Sequence, residues 1–263
     1  MIVGELINTS RKAIRPLVAD YDENAILEIV NAQVESGADY IDLNCGTFLK
    51  DEADRLTWLV KLVTTNTNKP ICLDSPDPKA LEAALPFVSG QAIINSISGE
   101  KERFANLLPL ALEYKTKIIA LCMNDDEMPI DAEGRYAIGS NLIDRLAAAG
   151  MQLSDIYLDP LVQPAFSAPQ GGNVIFETIK RLKAAYPGIN CICGLSNISF
   201  GLPNRKLINR YFLAQTMAAG MDSYILDPID KQLMGCYLAS KVLVGQDKFC
   251  VNYLKAHRKG LFE

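Results

Sequence analysis

Nine polar side chains follow short apolar runs in this chain, and their types limit the chemistry they can do. In chain order they are Glu5, Asp42, Asn44, Asp74, Asn95, Asn124, Asp159, Asn197 and Asp227. All are carboxylates or carboxamides, and no Lys, Arg or His takes such a position. Carboxylates accept pairs of parallel N–H hydrogen bonds, while carboxamides both donate and accept. The set therefore favours a neutral, planar heterocycle rich in N–H donors, such as an amino-pyrimidinone.

Other interpretations of these residues remain open. Asp and Asn at strand ends also cap helices and stabilise turns, and Asp42 and Asp227 fit that structural role. Several carboxylates could also bind Mg²⁺ or Ca²⁺, but half of the set are amides, so we predict no metal site. Schiff-base chemistry would need a lysine here, and Asp227-Pro228 does not suit a phosphate-binding loop.

The apolar runs before these side chains have the length and pattern of buried parallel strands. The strands are predicted at 1–5, 40–44, 70–75, 91–96, 118–124, 156–160, 190–195 and 223–227. Helices are predicted at 23–36, 52–65, 79–86, 102–114, 136–149, 174–185, 205–219 and 231–243, with a last short helix within 249–262. Eight strand–helix units predict one α/β domain over 1–263, a (β/α)₈ TIM barrel with its site at the carboxyl ends of the strands. A doubly wound sheet would need a Gly-rich fingerprint after the first strand, and none is there.

Composition excludes several classes of function. The net charge of −5 argues against a nucleic-acid surface. The seven cysteines form no CxxC pair, and we predict that they are reduced, buried and cytoplasmic. The only histidine is His257, in a basic tail, which argues against a Ser–His mechanism. No apolar run approaches a membrane span, so we predict no membrane contact.

The strand ends and one helix start together resemble the pterin-binding methyltransferases. The segments that match are 4–8, 41–46, 71–75, 93–96, 157–161, 194–199 and 204–210. The resemblance covers essentially the whole chain and is nearest to the methyltetrahydrofolate:corrinoid protein methyltransferases of anaerobic bacteria, including the folate-methylating component of O-demethylase-type systems.

The resemblance implies a role for each matching residue. Asp74, Asn95 and Asp159 would hold the pterin edge, and Asn197 would lie near N5, the atom that carries the methyl group. Further substrate contacts are expected from Ser196, Arg205, Glu5, Asn8, Asn124 and Phe200. Phe200 stands where a family member has Gln, so it could stack on the ring or touch a partner.

The resemblance also implies the reaction and its partners. The methyl group would pass by SN2 transfer between N5 of tetrahydrofolate or 5-methyltetrahydrofolate and the cobalt of a corrinoid. The corrinoid would arrive on a separate protein, docked on the loops 161–172 and 125–131, and the enzyme would be a homodimer. The direction of transfer is left open.

Two rival functions follow from the same barrel. Dihydropteroate synthase shares the pterin site but uses a basic run after strand seven and an Arg at strand eight, where this chain has Ser196-Asn197-Ile198 and Asp227-Pro228. A non-catalytic folate-binding accessory protein would keep Asp74, Asn95 and Asp159 but would not need Asn197.

Overall fold

A closed barrel of eight parallel strands forms the centre of the computed structural model, which describes residues 1–126 and 128–262. The strands are β1 Ile2–Asn8, β2 Tyr40–Asn44, β3 Ile71–Asp74, β4 Ile93–Ser98, β5 Lys117–Leu121, β6 Ile156–Asp159, β7 Asn190–Gly194 and β8 Ser223–Leu226. They pair in chain order, and β8 closes the ring against β1. The predicted (β/α)₈ TIM barrel is confirmed.

A helix follows each strand and covers the outside of the barrel. Within the described residues the helices are α1 Arg15–Ala19, α2 Glu23–Glu35, α3 Glu52–Asn66, α4 Pro78–Ala84, α5 Lys101–Glu113, α6 Ala132–Ala148, α7 Gly171–Ala185, α8 Arg205–Ala219, α9 Lys231–Leu243 and α10 Val251–Arg258. The predicted bounds of α8 and α9 match, because each has clear local end signals. Asp230, for example, accepts a hydrogen bond from the Leu233 N–H at the start of α9.

Several elements differ from the sequence prediction: β4 covers Ile93–Ser98 instead of 91–96, and α6 and α7 begin earlier, at Ala132 and Gly171. Strand β1 continues to Asn8 instead of ending at Glu5, because an irregularity between Gly4 and Ile7 lets it keep pairing with β2. Strand β5 ends at Leu121, three residues earlier than predicted. Helix α1 was not predicted, because it is only five residues long and contains Pro16. A proline is nevertheless tolerated in the first turn of a helix.

Alternate residues of each strand point into the barrel. The interior therefore consists of layers of side chains that differ in polarity. The middle of the interior is apolar and is filled by Val3, Cys72, Ile93, Ile119 and Ile192, all buried. The intervening residues, such as Leu43 and Leu73, pack outward against the helices. Each fully buried side chain of this kind contributes about 1.5–3 kcal/mol to folding. The apolar layer forms the floor on which the polar strand ends stand.

The cysteines agree with the prediction in part. Cys45, Cys72, Cys122, Cys191 and Cys193 are free and buried, as expected of small hydrophobic residues. Cys236 and Cys250 are free but only half-buried, so the prediction was wrong for these two. Among the described helices, none is long and apolar enough to cross a bilayer.

Candidate active site

A cavity of about 840 Å³ opens at the carboxyl end of the barrel. Every strand contributes at least one residue to its wall. The strand residues that line it are Glu5, Asn8, Asp42, Asp74, Asn95, Ser96, Ile119, Leu121, Asp159, Gly194, Ile225 and Leu226. This is the position at which TIM-barrel enzymes place their active sites. The cavity is large enough for a bicyclic heterocycle, since ligand pockets usually measure about 300–1,000 Å³.

Asp74 and Asn95 face the cavity side by side. They are direct partners in the register of β3 and β4, so their side chains leave neighbouring strands at the same height. Asn44, the partner of Asp74 on β2, donates a hydrogen bond from Nδ2 to Asp74 Oδ2 at 2.7 Å. This bond orients the Asp74 carboxyl and supports its charged form, while burial raises its pKa.

Asp159 also lines the cavity, at the end of β6. Burial raises the pKa of its carboxyl to about 7, although hydrogen bonds from backbone N–H groups oppose the rise. One of these bonds joins the Leu161 N–H to Asp159 Oδ1 at 2.8 Å. The carboxyl therefore changes charge near neutral pH and is oriented by its own loop.

Asn197 lies at the rim, in the short 3₁₀ turn Leu195–Ser199 that follows β7, and its side chain is exposed to solvent. Its amide packs directly over Gly194, where an added Cβ would come within 3.2 Å of Asn197 Nδ2. A glycine at 194 is therefore needed for this placement of the amide. An exposed carboxamide above a buried polar pocket suits contact with both a bound ring and a second reactant.

Three cations also reach the mouth, although none ends a strand. Arg11 Nη2 donates to Glu5 Oε1 at 2.6 Å, Arg205 Nη2 donates to the Ser196 carbonyl at 2.7 Å, and Lys206 Nζ pairs with Asp230 at 3.2 Å. Sequence reasoning missed Arg11 and Lys206 because they belong to a loop and to a helix start. Each cation already has a partner, so none is a free anion site.

The structure brings together nearly all of the predicted site residues. Those that line the cavity are Glu5, Asn8, Asp74, Asn95, Asp159, Ser196, Asn197, Phe200 and Arg205. Asp42 and Asp227, for which a purely structural role was considered, line it as well. Asn124 does not, because β5 ends at Leu121 and the Asn124 side chain hydrogen-bonds Asp126 in the following loop.

Two aromatic side chains stand on the rim. Phe200 is 61% exposed, and its ring centroid lies 5.9 Å from the guanidinium carbon of Arg205. Phe166, in the predicted docking loop 161–172, is 60% exposed and packs against Gly201. Helix α7 takes the last two residues of that predicted loop. The other predicted docking loop, 125–131, includes Glu127, which lies outside the described residues.

Arg103 of α5 ties the loop that follows β3 to the end of β4. Its guanidinium donates to the carbonyls of Ser96 at 2.6 Å, Pro76 at 2.9 Å and Ser75 at 3.1 Å. Ser75 and Ser96 come directly after Asp74 and Asn95, so one side chain holds both cavity residues from behind. Arg135, 1% exposed, does the same for the loop after Asp159 through the carbonyls of Pro160 and Leu161.

The described residues contain no group of three or more His, Cys, Asp or Glu side chains arranged to hold a metal ion. The carboxylates of the mouth are instead spaced around the wall, where Asp74 has an amide partner, Asp159 a backbone partner and Glu5 an arginine partner. This arrangement suits recognition of several N–H donors along the edge of one planar ligand.

Comparison with known proteins identifies the family. The model of the family described as "Pterin binding enzyme" matches residues 6–227, which is most of the chain and includes every strand end. The chain belongs to the pterin-binding enzyme family. A pterin carries an amino-pyrimidinone edge, the chemistry expected from the strand-end residues.

Curated relatives in this family are named for methyl-transfer enzymes. The chain is 34% identical over 263 residues to the "Methylcorrinoid:tetrahydrofolate methyltransferase" of Eubacterium limosum, covering 99% of this chain and 97% of that one. It is 29% identical over 239 residues to the "Methionine synthase" of Mycobacterium tuberculosis, but spans only 20% of that protein's length. The chain is accordingly a methyltransferase of the pterin-binding family.

Solved structures share the barrel at much lower identity. A dihydropteroate synthase from Xanthomonas albilineans superposes with a TM-score of 0.71 at 16% identity, covering 94% of this chain and 93% of that one. One from Yersinia pestis gives a TM-score of 0.71 at 13% identity, covering 93% of each chain. These likenesses show a common fold of the pterin-binding enzymes.

Replacing Arg103 with methionine is expected to lower both stability and pterin affinity. Three carbonyls would lose a charged donor, which costs about 2–4 kcal/mol of unfolding free energy. The loops behind Asp74 and Asn95 would loosen, so we expect about tenfold weaker binding of 5-methyltetrahydrofolate by calorimetry.

Arg145 provides the matched control for this experiment. Its guanidinium carbon lies 3.5 Å from the Phe104 ring centroid on the outside of the barrel, and it does not line the cavity. Arg145→Met should lose stability through that contact and keep its pterin affinity. Equal affinities for the two variants would contradict a positioning role for Arg103.

Proposed function

We propose that this protein moves a methyl group between N5 of tetrahydrofolate and the cobalt of a corrinoid carried on a separate protein. The observation that carries the proposal is the Eubacterium limosum relative, which is named for both reactants and matches nearly end to end. The cavity supports it, because the carboxylates and amides around its wall suit the pterin part of folate.

The proposed pterin contacts are those of the cavity wall. Asp74, Asn95 and Asp159 together bind the amino-pyrimidinone edge, and Asp159 accepts two parallel N–H bonds from it in its charged form. The register of β3 and β4 sets the spacing between Asp74 and Asn95 before the ligand binds. Preorganised partners of this kind lower the cost of ordering the site on binding.

Asn197 is proposed to act on N5 itself. In transfer to tetrahydrofolate, the N5 lone pair forms the new N–C bond, the electrons of the Co–C bond remain on cobalt as Co(I), and the N5 proton leaves to water. In the reverse direction N5 must regain positive character as a proton arrives through water. There, a hydrogen bond that Asn197 donates strengthens as the methyl group leaves and N5 becomes basic, which would raise the rate more than the ground-state affinity.

The residues of this chain fit a corrinoid that is bound elsewhere. The one histidine of the sequence, His257, lies in α10 and does not line the cavity, so the mouth offers no imidazole to cobalt. The corrinoid supplies or accepts the methyl group at its cobalt. The exposed rings of Phe166 and Phe200 at the rim are the proposed contacts for the protein that carries it.

Methyl transfer can be followed directly with reduced corrinoid. Mixing the protein with 5-methyltetrahydrofolate and free Co(I) cobalamin should convert the Co(I) absorbance to that of methylcobalamin, and methylcobalamin with tetrahydrofolate should give the reverse change. The name of the full-length relative favours transfer to tetrahydrofolate as the direction in the cell. Binding of 5-methyltetrahydrofolate without any transfer in either direction would indicate an accessory binding protein instead.

The homodimer and the anaerobic source remain predictions from the family resemblance, and the cytoplasmic location remains a prediction from the cysteines. Sedimentation velocity of the purified protein tests the first of them. A single monomeric species at micromolar concentration would contradict it.

A further inference from the structure

Asp42 lies one layer deeper in the cavity than Asp74 and Asn95. It comes from the middle of β2, where its register partner is Cys72 of the apolar interior layer, and so it sits one layer below Asn44 and Asp74. Its side chain is 2% exposed, lines the cavity, and leaves Oδ1 without a hydrogen-bond partner in the described residues. A buried polar atom without a partner costs free energy that a ligand contact would recover.

The surroundings of Asp42 disfavour its charge. The groups that face it are Glu5 of β1, Cys72 and Asp74 of β3, and the neutral amide of Asn95 on β4. Burial, and then the negative charge of Asp74, raise the pKa of Asp42 well above its ordinary value. Asp74 keeps the charge of the pair more readily, because Asn44 donates to it and Arg103 lies near it.

A neutral carboxyl can donate a hydrogen bond from its O–H, which an ionised carboxylate cannot do. Several donors at the mouth already have partners, because Arg11 is bound to Glu5, Arg205 to the Ser196 carbonyl and Asn44 to Asp74. A reduced pterin presents ring acceptors as well as N–H donors. A donor deep in the cavity could serve one of these acceptors.

We propose that Asp42 is a further pterin-binding residue, which donates a hydrogen bond from its neutral carboxyl to an acceptor atom of the bound ring. The inference rests on the proposed function, in which the cavity binds the pterin of folate. It gives the two carboxyl types opposite tasks: Asp159 accepts from the ring when charged, and Asp42 donates to it when neutral.

The test is the affinity for 5-methyltetrahydrofolate, measured by calorimetry from about pH 6 to pH 10. In the wild-type protein the affinity should rise as Asp159 ionises and then fall in alkaline solution as Asp42 loses its proton. Asp42→Asn keeps a neutral donor that does not ionise, so it should retain affinity near pH 7 and lose the alkaline fall. Glu5→Gln, which changes another buried carboxyl of the mouth, should retain that fall.

Removing the donor altogether gives a second measurement. Asp42→Leu should bind 5-methyltetrahydrofolate at least about tenfold more weakly than Asp42→Asn at pH 7. If the affinity of Asp42→Asn still falls at alkaline pH as in the wild type, the fall comes from ionisation of the ring itself. That result would overturn the assignment of Asp42, while the methyltransferase proposal would stand. Failure of the wild-type protein to bind 5-methyltetrahydrofolate at any pH would overturn both.

Discussion

Replacing Asn197 with alanine is expected to slow methyl transfer by a factor of about 10²–10³. The physical reason is that the Asn197 amide is proposed to bind N5 most strongly when the charge on N5 changes, which is in the transition state. The affinity for 5-methyltetrahydrofolate should change much less, because the cavity wall binds the rest of the ring. Single-turnover rates with Co(I) cobalamin, together with calorimetric affinities, measure both quantities.

A second variant tests the placement of the amide rather than its presence. Gly194→Ala adds a Cβ within 3.2 Å of Asn197 Nδ2, so the amide must move by a few tenths of an ångström. We expect a smaller loss of rate, about tenfold, again with little change in affinity. An unaltered rate in Asn197→Ala would exclude this residue from the chemistry.

Replacing Asp159 with asparagine is expected to weaken 5-methyltetrahydrofolate binding by about 100-fold and yet stabilise the protein. Binding is lost because the new amide directs N–H donors at the N–H donors of the ring, and a charged acceptor disappears. The hydrogen bond from the Leu161 N–H can be kept by the amide oxygen. Calorimetry measures the affinity, and chemical denaturation measures the stability.

The gain in stability should depend on pH. The folded protein holds a proton on Asp159 up to a pKa of about 7, whereas an unfolded chain releases it near about pH 4. The folded state thus binds more protons between these values, so its free energy of unfolding falls as pH rises from about 4 to about 7 and then levels off. Asp159→Asn avoids this loss, which has an upper limit of about 4 kcal/mol at pH 8.

The control for this prediction is the same comparison at about pH 5, where the difference between wild type and variant should shrink to about a third. A difference that does not change with pH would show that Asp159 is already charged throughout this range. It would also remove the reason to expect that pterin affinity rises with pH as Asp159 ionises.

Loss of Asn197 and loss of Asp159 affect opposite properties of the protein in these two predictions. Asn197 is exposed, so its removal should cost activity and leave stability almost unchanged. Asp159 is held in a site that disfavours its charge, so its removal should cost binding and increase stability. Such exchange of stability for function is common at active sites.

Local patterns in the sequence determined the barrel and most of its site. A short apolar run followed by Asp or Asn and a turn is a local signature, so Asp74, Asn95, Asp159 and Asn197 could be placed at strand ends. The eight repeats then imply closure, and closure brings the strand ends to one mouth. The type of ligand followed from the side-chain types alone.

Only the tertiary structure decided which polar groups share the cavity and in what charge state. Asn124 is excluded because β5 ends early, and Asp42 is included because the register of β2 points it inward. Arg11 and Arg103 reach the site from a loop and a helix, where no local pattern indicates their carbonyl or carboxylate partners. The burial of a carboxyl and the charges around it depend on neighbours that are distant in sequence. The raised pKa values of Asp42 and Asp159 therefore exist only in the closed barrel.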